Sequence, residues 1–181
     1  MGVFNRLKHV LIGGDYVGGD KITNLPAPTQ LILLQEEYQE ELKNNLTCSD
    51  LIDELNHYNS RKSEIRDLQK KLASSGYEIL IEEGQELKEL VAKMIIKHQH
   101  YKSAQKIIVY LLSDVHSIFQ FTIKPQVLSK ATKDELLETI HIEIEEKLST
   151  KLGVNSLGIY NRHLRGMVFF LTGNCHLEWE K

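Results

Sequence analysis

From residue 29 onward, apolar residues recur at steps of three and four, the spacing of one helix face. Thr29 is placed to cap a first helix carrying Leu31, Leu34, Tyr38 and Leu42, with Glu36, Glu37, Glu40 and Glu41 largely on other faces. A second stripe starts at Ser49 or Asp50 and runs through Leu51, Leu55, Tyr58, Ile65, Leu68 and Leu72. Its steps resemble a heptad seam, with Lys62 filling a gap and Asn59-Ser60 as a point where it breaks. Ser74-Ser75-Gly76 reads as a turn. A third helix places Leu80, Leu87, Val91, Met94 and His98 on one face, beside Leu90 and Ile95. The fourth, from about Ser103, carries Ala104, Ile107, Ile108, Leu111, Leu112, Val115 and Phe119, apolar around more than half its circumference; it is expected to be central.

Phe119 to Ile123 alternates with period two, which predicts a short strand ahead of Pro125. Thr132-x-x-Glu135 matches a capping box before a helix with Leu136, Ile140, Ile144 and Leu148, ended by Gly153. Asn155 or Ser156 is expected to cap a last helix running through Leu171 and stopped by Gly173-Asn174. Cys175 to Trp179 remains as a short extended tail, in which Leu177 and Trp179 alternate around Glu178. Residues 1–28 differ: they hold five glycines and two of the three prolines, whereas the next 100 residues hold only Gly76 and Gly84. Pro26 and Pro28 disfavour helix just before them. The expected fold is therefore mainly α: an antiparallel bundle of five or six helices over 29–181, preceded by a short β-like Gly/Asp-rich arm and linker over 1–28.

Composition narrows the class without naming a function. The chain has 181 residues, 41% hydrophobic and 26% charged, which is ordinary for a globular protein. Its net charge of −3 supplies no electrostatic footprint for nucleic acid or an anionic membrane surface. No run of consecutive apolar residues approaches the ~20 of a membrane span. Cys48 and Cys175 have no Cys-x-x-Cys spacing; they are expected as thiols in a reducing cytoplasm.

The arm contains a five-residue repeat. Gly13-Gly14-Asp15-Tyr16-Val17 is followed by Gly18-Gly19-Asp20-Lys21-Ile22, so Ile12, Val17 and Ile22 recur every five residues. Gly-Gly supplies positive φ cheaply and Asp readily hydrogen-bonds nearby amides, so each unit is expected to turn the chain sharply and return one apolar side chain to the same side. Two units cannot bury that side alone. The arm is thus a flexible hairpin, or it packs on its own bundle, or it stacks on another chain. A phosphate-binding loop is excluded: after Gly14 and Gly19, Asp20 stands where the lysine is required, and Lys21-Ile22 follow one position late.

Gly14-Asp15-Tyr16-Val17-Gly18-Gly19-Asp20-Lys21-Ile22 resembles the "GD-x-V-x-GDK-I" arm that precedes domains in bacterial conflict and phage-defence proteins. His163-Leu164-Arg165-Gly166-Met167-Val168-Phe169-Phe170-Leu171-Thr172, followed by Cys175-His176-Leu177-Glu178-Trp179, is similar to the ending of small helical domains in ABC-three-component defence systems. In such systems an SMC-like ATPase is joined by a small middle component and an effector. The resemblance implies an accessory role for this chain, with protein partners such as that ATPase or an effector subunit, and self-association through the arm as a further route.

Local chemistry adds no catalytic assignment. His98 and His100 fall on different helix faces, His141-Ile142-Glu143 lacks the Pro-Cys-x-x-Cys partner of zinc deaminases, and Cys175-His176 adjoins no second ligand pair. No Gly-x-Ser-x-Gly occurs. Glu82-Glu83, Glu143, Glu145 and Glu146 read as solvated helix faces beside lysines. Arg61-Lys62, Lys70-Lys71 and Lys102 to Lys106, with Tyr101 and Tyr110, alternate with acids and form no basic stripe. No catalytic residue, cofactor or metal ligand is expected. The interaction residues expected are Ile12, Gly14, Asp15, Val17, Gly19, Asp20, Lys21 and Ile22 in the arm, and Gly166 and Trp179 at the end of the chain. Gly166 permits close approach of a neighbouring backbone, and Trp179 either clamps the tail onto its own bundle or joins a partner interface. The expected function is a non-enzymatic assembly subunit of a bacterial antiviral complex; a DNA-binding regulator and a small hydrolase remain as alternatives.

Overall fold

The computed structural model describes residues 29–60 and 67–180. The arm, the proposed boundary at 28, Lys62 and Ile65 of the second stripe, and Arg61 of the Arg61-Lys62 pair lie outside these residues. Among the described residues there is no strand, and the helices form seven runs: α1 (Gln30–Lys43), α2 (Asp53–Asn59), α3 (Leu68–Ser74), α4 (Ile81–His98), α5 (Lys102–Leu128), α6 (133–152) and α7 (Asn161–Gly173). The count exceeds five or six because the expected long second helix is present as two short ones. Ser60, with extended backbone, ends the first of them, and Asp67 caps the second by accepting from the Lys70 amide.

The predicted strand over Phe119–Ile123 is helical. This segment is a π-turn that joins Lys102–Ile118 to Lys124–Leu128 in one helix. Phe119 and Ile123 are buried four residues apart, while Phe121 between them is 82% exposed, so the alternation was in residue type and not in burial. The wider turn accommodates Pro125, which has no N–H to donate and whose ring crowds the carbonyl four residues back. A second π-turn, His141–Glu146, lies inside α6, between Lys133–Ile140 and Lys147–Leu152.

Both π-turns share a cause. In α5, Leu111, Val115, Phe119, Ile123 and Val127 are all buried; in α6 so are Leu136, Ile140, Ile144, Leu148 and Leu152. Every step in both sets is four residues. At 3.6 residues per turn each such step drifts about 40° around the helix, so five residues would spread far from one face. One wider turn near the middle holds the set on the core. The two π-turns pack against the facing helix, α5's on α6 and α6's on α5.

Helix α5 is the hub, touching α1, α2, α4, α6 and α7, while α4 and α7 form the most extensive helix pair. By length and composition α5 is apolar enough to cross a membrane, a feature not apparent from runs of consecutive apolar residues. Its stripe is buried against neighbouring helices, the placement of a core helix. The capping box at Thr132–Glu135 is present and starts α6. The last helix starts later than expected. Asn155 uses its side chain to bracket Ile159, accepting from the amide and donating to the carbonyl; it closes a loop, and α7 begins at Asn161.

The segment 29–60 is fastened to the rest by buried polar side chains. Gln35 donates to Leu152 O at 2.7 Å and accepts from Ser156 N at 2.9 Å. Gln105 accepts from Ile52 N at 2.6 Å and donates to the carbonyls of Asp50 and Gln99. Tyr38 Oη lies 3.1 Å from His98 Nδ1, with both side chains buried. Ser103 meets the Glu41 carboxylate through its amide and hydroxyl.

Candidate interaction site

Of the residues expected to make interactions, Gly166 and Trp179 fall within the described structure; Ile12, Gly14, Asp15, Val17, Gly19, Asp20, Lys21 and Ile22 lie outside it. Gly166 sits in α7 where that helix crosses α4. A Cβ there would stand 2.8 Å from Leu87 O and 2.9 Å from Val91 Cγ2, so the two backbones approach because no side chain intervenes. The neighbour is a helix of the same chain.

Trp179 is buried in the core of its own chain. Its Nε1 donates to Thr172 Oγ1 at 2.9 Å, and its ring lies 5.3 Å from that of Phe119 and 5.8 Å from that of Tyr77. The route there starts at the end of α7. His176 N donates to Leu171 O and Cys175 N to Thr172 O, with Cys175 in the left-handed region at φ 63°. These are the two bonds of a Schellman motif, and they fold the tail back over its own helix. Lys71, 1% exposed, then locks the tail: its Nζ donates to Leu177 O at 2.7 Å and pairs with the Glu178 carboxylate at 2.9 Å. Leu177 and Trp179 face inward and Glu178 outward, the alternation of an extended tail. Lys70-Lys71 is a basic pair in sequence, but burial removes Lys71 from any basic surface.

The other chemistry-bearing side chains are also tied into the fold. Arg165 bridges Glu145 (Nε–Oε1 2.5 Å) and Glu83 (Nη1–Oε1 3.1 Å), joining α7 to α6 and α4. Glu145, read from sequence as a solvated face, is buried, turned inward within the π-turn of α6. It also takes His141 Nδ1 at 2.9 Å, and that hydrogen bond holds the His141 imidazole above its usual range. His98 is pushed the other way, first by burial and then by the charge of Lys97; His163 is lowered by the same two causes. Among the described residues no cluster of His, Cys, Asp and Glu is arranged to hold a metal ion.

The feature sequence reasoning missed is an open groove of about 650 Å³ between α1, α2 and α5. Leu34, Leu51, Ile52 and Val109 line it. Lys102 and Lys106 project from the α5 side, and Asp53 and Glu54 from the start of α2. None of these four charged groups makes an ion pair among the described residues. Lys102 and Lys106, one turn apart on one helix and facing two acids, form half of a dipolar trough and not a basic stripe. The chain enters at this point, since Gln30 at the start of α1 is itself part of the lining.

The sequence model of one family, described as C-terminal domain 9 of the ABC-three component (ABC-3C) systems, matches residues 67–179. The match runs from the cap of α3 to Trp179 and leaves out α1 and α2. No curated protein and no solved structure shows a significant match to the chain.

Proposed function

The chain belongs to the CTD9 family of the ABC-three component systems, and from that premise we propose that it is a non-enzymatic assembly subunit of a bacterial antiviral defence complex. It acts in the cytoplasm, tethering or regulating an ATPase or effector partner. The observation that carries the reading is the family match over 67–179, more than half of the chain, in a family defined by a multi-component system. The use of buried and half-buried polar groups supports the non-enzymatic part. Lys71 is spent on the tail, Glu145 and Arg165 on the junction of α6 and α7, and Gln35 and Gln105 on fastening α1 and the loop before α2. Each is an internal cross-link, and none lines the groove. The bundle surface, the arm, or both are the parts that meet the partner.

The test is co-expression with the ATPase subunit of its ABC-three component system, with an affinity tag on the ATPase, followed by size-exclusion chromatography. The expected result is co-elution at a fixed ratio. Elution of the chain at its own position, with its helical circular dichroism intact, refutes the assembly role.

A further inference from the structure

We propose that the groove between α1, α2 and α5 is the binding site for the chain's own residues 15–22, docked in cis. The trough asks for three things from an occupant. Leu34, Leu51, Ile52 and Val109 ask for apolar side chains, Lys102 and Lys106 for carboxylates, and Asp53 and Glu54 for a cation. Val17, Asp20, Lys21 and Ile22 offer all three within six residues, and Asp15 adds a second carboxylate. Gly18 and Gly19 add no bulk between the two apolar side chains, which suits a trough walled by helices on both sides.

Position supports the assignment as well as chemistry. The described chain begins at Thr29, and Gln30 lines the groove. Six residues, 23–28, separate Ile22 from Thr29; at about 3.3 Å each they reach up to roughly 20 Å. Pro26 and Pro28 disfavour helix at the residue before each of them. Residues 15–22 are therefore held beside the groove at high effective concentration, an advantage no free peptide shares. The groove's charges carry no other ion pair among the described residues, so docking displaces none. This inference does not rest on the assembly reading, because its test uses the chain alone.

The experiment treats the full chain, at low micromolar concentration, with a zero-length carboxylate–amine cross-linker, and maps the monomer band by mass spectrometry. Links from Lys102 or Lys106 to Asp15 or Asp20, with a yield independent of protein concentration, are expected. Val17→Asp with Ile22→Asp puts carboxylates where the apolar floor lies, and the yield falls by roughly tenfold or more. Lys106→Gln with Lys102→Gln removes the links, and circular dichroism confirms that the helices are intact. Links spread evenly over other surface lysines, links confined to a dimer band, or an unchanged yield in the Val17/Ile22 variant would each overturn docking in cis.

Discussion

Trp179 is buried in a short tail that follows the last helix and has no helical hydrogen bonds to hold it, so its burial makes a demanding prediction. In Trp179→Ala the indole leaves a site 1% exposed, between Phe119 and Tyr77. Large aromatic-to-Ala changes in a core cost about 3–5 kcal/mol, the lost transfer energy plus the cavity left behind. If the tail detaches as well, Leu177 is exposed and the Lys71 ammonium loses Leu177 O and Glu178 together, which places the estimate at the upper end. For a chain of this size each kcal/mol moves Tm by about 2–4 °C, so the melt drops by roughly 6–20 °C.

Trp179→Phe separates packing from hydrogen bonding. It keeps a ring beside Phe119 and Tyr77 and removes the indole N–H. Thr172 Oγ1 still donates to Val168 O at 2.7 Å, so no buried group is orphaned. A loss of about 1–2 kcal/mol is expected, below that of the Ala variant. Circular dichroism melts at 222 nm read both variants. The wild-type chain has one tryptophan, so its fluorescence reports this site alone and is expected to be blue-shifted and shielded from iodide. A melt of Trp179→Ala within about 2 °C of wild type, with red, quenchable emission from the wild type, would refute the clamp.

Gly166→Ala puts a methyl group against the Leu87 carbonyl and Val91, and is expected to cost about 1–3 kcal/mol in urea unfolding. Gly173→Ala meets only the flexible end of Lys88 and should cost less; equal losses would contradict the close approach of α4 and α7. Lys71→Met keeps the aliphatic stem but leaves Leu177 O without its donor, and is expected to cost about 1–3 kcal/mol, with the tail near Trp179 becoming more accessible to iodide. His98 and His163 have folded-state pKa values below the unfolded value, so their contribution is fully present above about pH 6.5 and is lost as pH falls toward the folded values. His141 has a raised value and acts with the opposite sign, its contribution present below about pH 6.5 and lost as pH rises through the folded value. Replacing His98 with Gln should therefore flatten the fall in urea midpoint as pH drops below about 6.5, and an unchanged slope would show that His98 does not titrate with folding.

Much of the fold was legible because helix faces announce themselves by spacing. The stripes of α4 and α5 and the capping box of α6 stand where the pattern put them, and that of α1 does so from Leu31 to Tyr38, with Leu42 exposed. The misreading at Phe119–Ile123 has a physical origin. Three apolar residues at alternate positions look like a strand when read alone, and Pro125 looks like a terminator. The same residues read with Leu111 and Val115 behind them, and Val127 after, form an unbroken set of four-residue steps. That longer set is the sequence signature of a helix that must widen once to stay on the core, and α6 repeats it from Leu136 to Leu152. The late start of α7 was not legible, because Asn155 is equally suited to capping a helix and to bracketing a loop, and only the position of Ile159 decides between them.

The groove was illegible for a different reason. Its residues come from three separated stretches, at 30–34, 51–54 and 102–113, and none of these stretches carries a motif. What joins them is buried and polar: Gln35 fixes α1 against the end of α6, and Gln105 fixes the backbone at 50–52 beside α5. A buried glutamine in a helical stripe looks like an interruption of the apolar pattern, yet here each one sets the position of a groove wall. The family match begins at residue 67, so one wall, α5, belongs to the shared domain, while α1 and α2 lie outside the match. The groove is thus built where the matched domain meets the segment that precedes it. Disconnecting Gln105 should shift that wall without unfolding the domain. Gln105→Leu leaves Ile52 N and the carbonyls of Asp50 and Gln99 without their partner, so the loop at 48–52 is expected to exchange its amide hydrogens at least about tenfold faster. The α4–α7 pair around Gly166 should keep its protection, since Gln105 meets α4 only at its C-terminal cap, Gln99; faster exchange throughout both regions would mean that the glutamine supports the whole core rather than the groove wall.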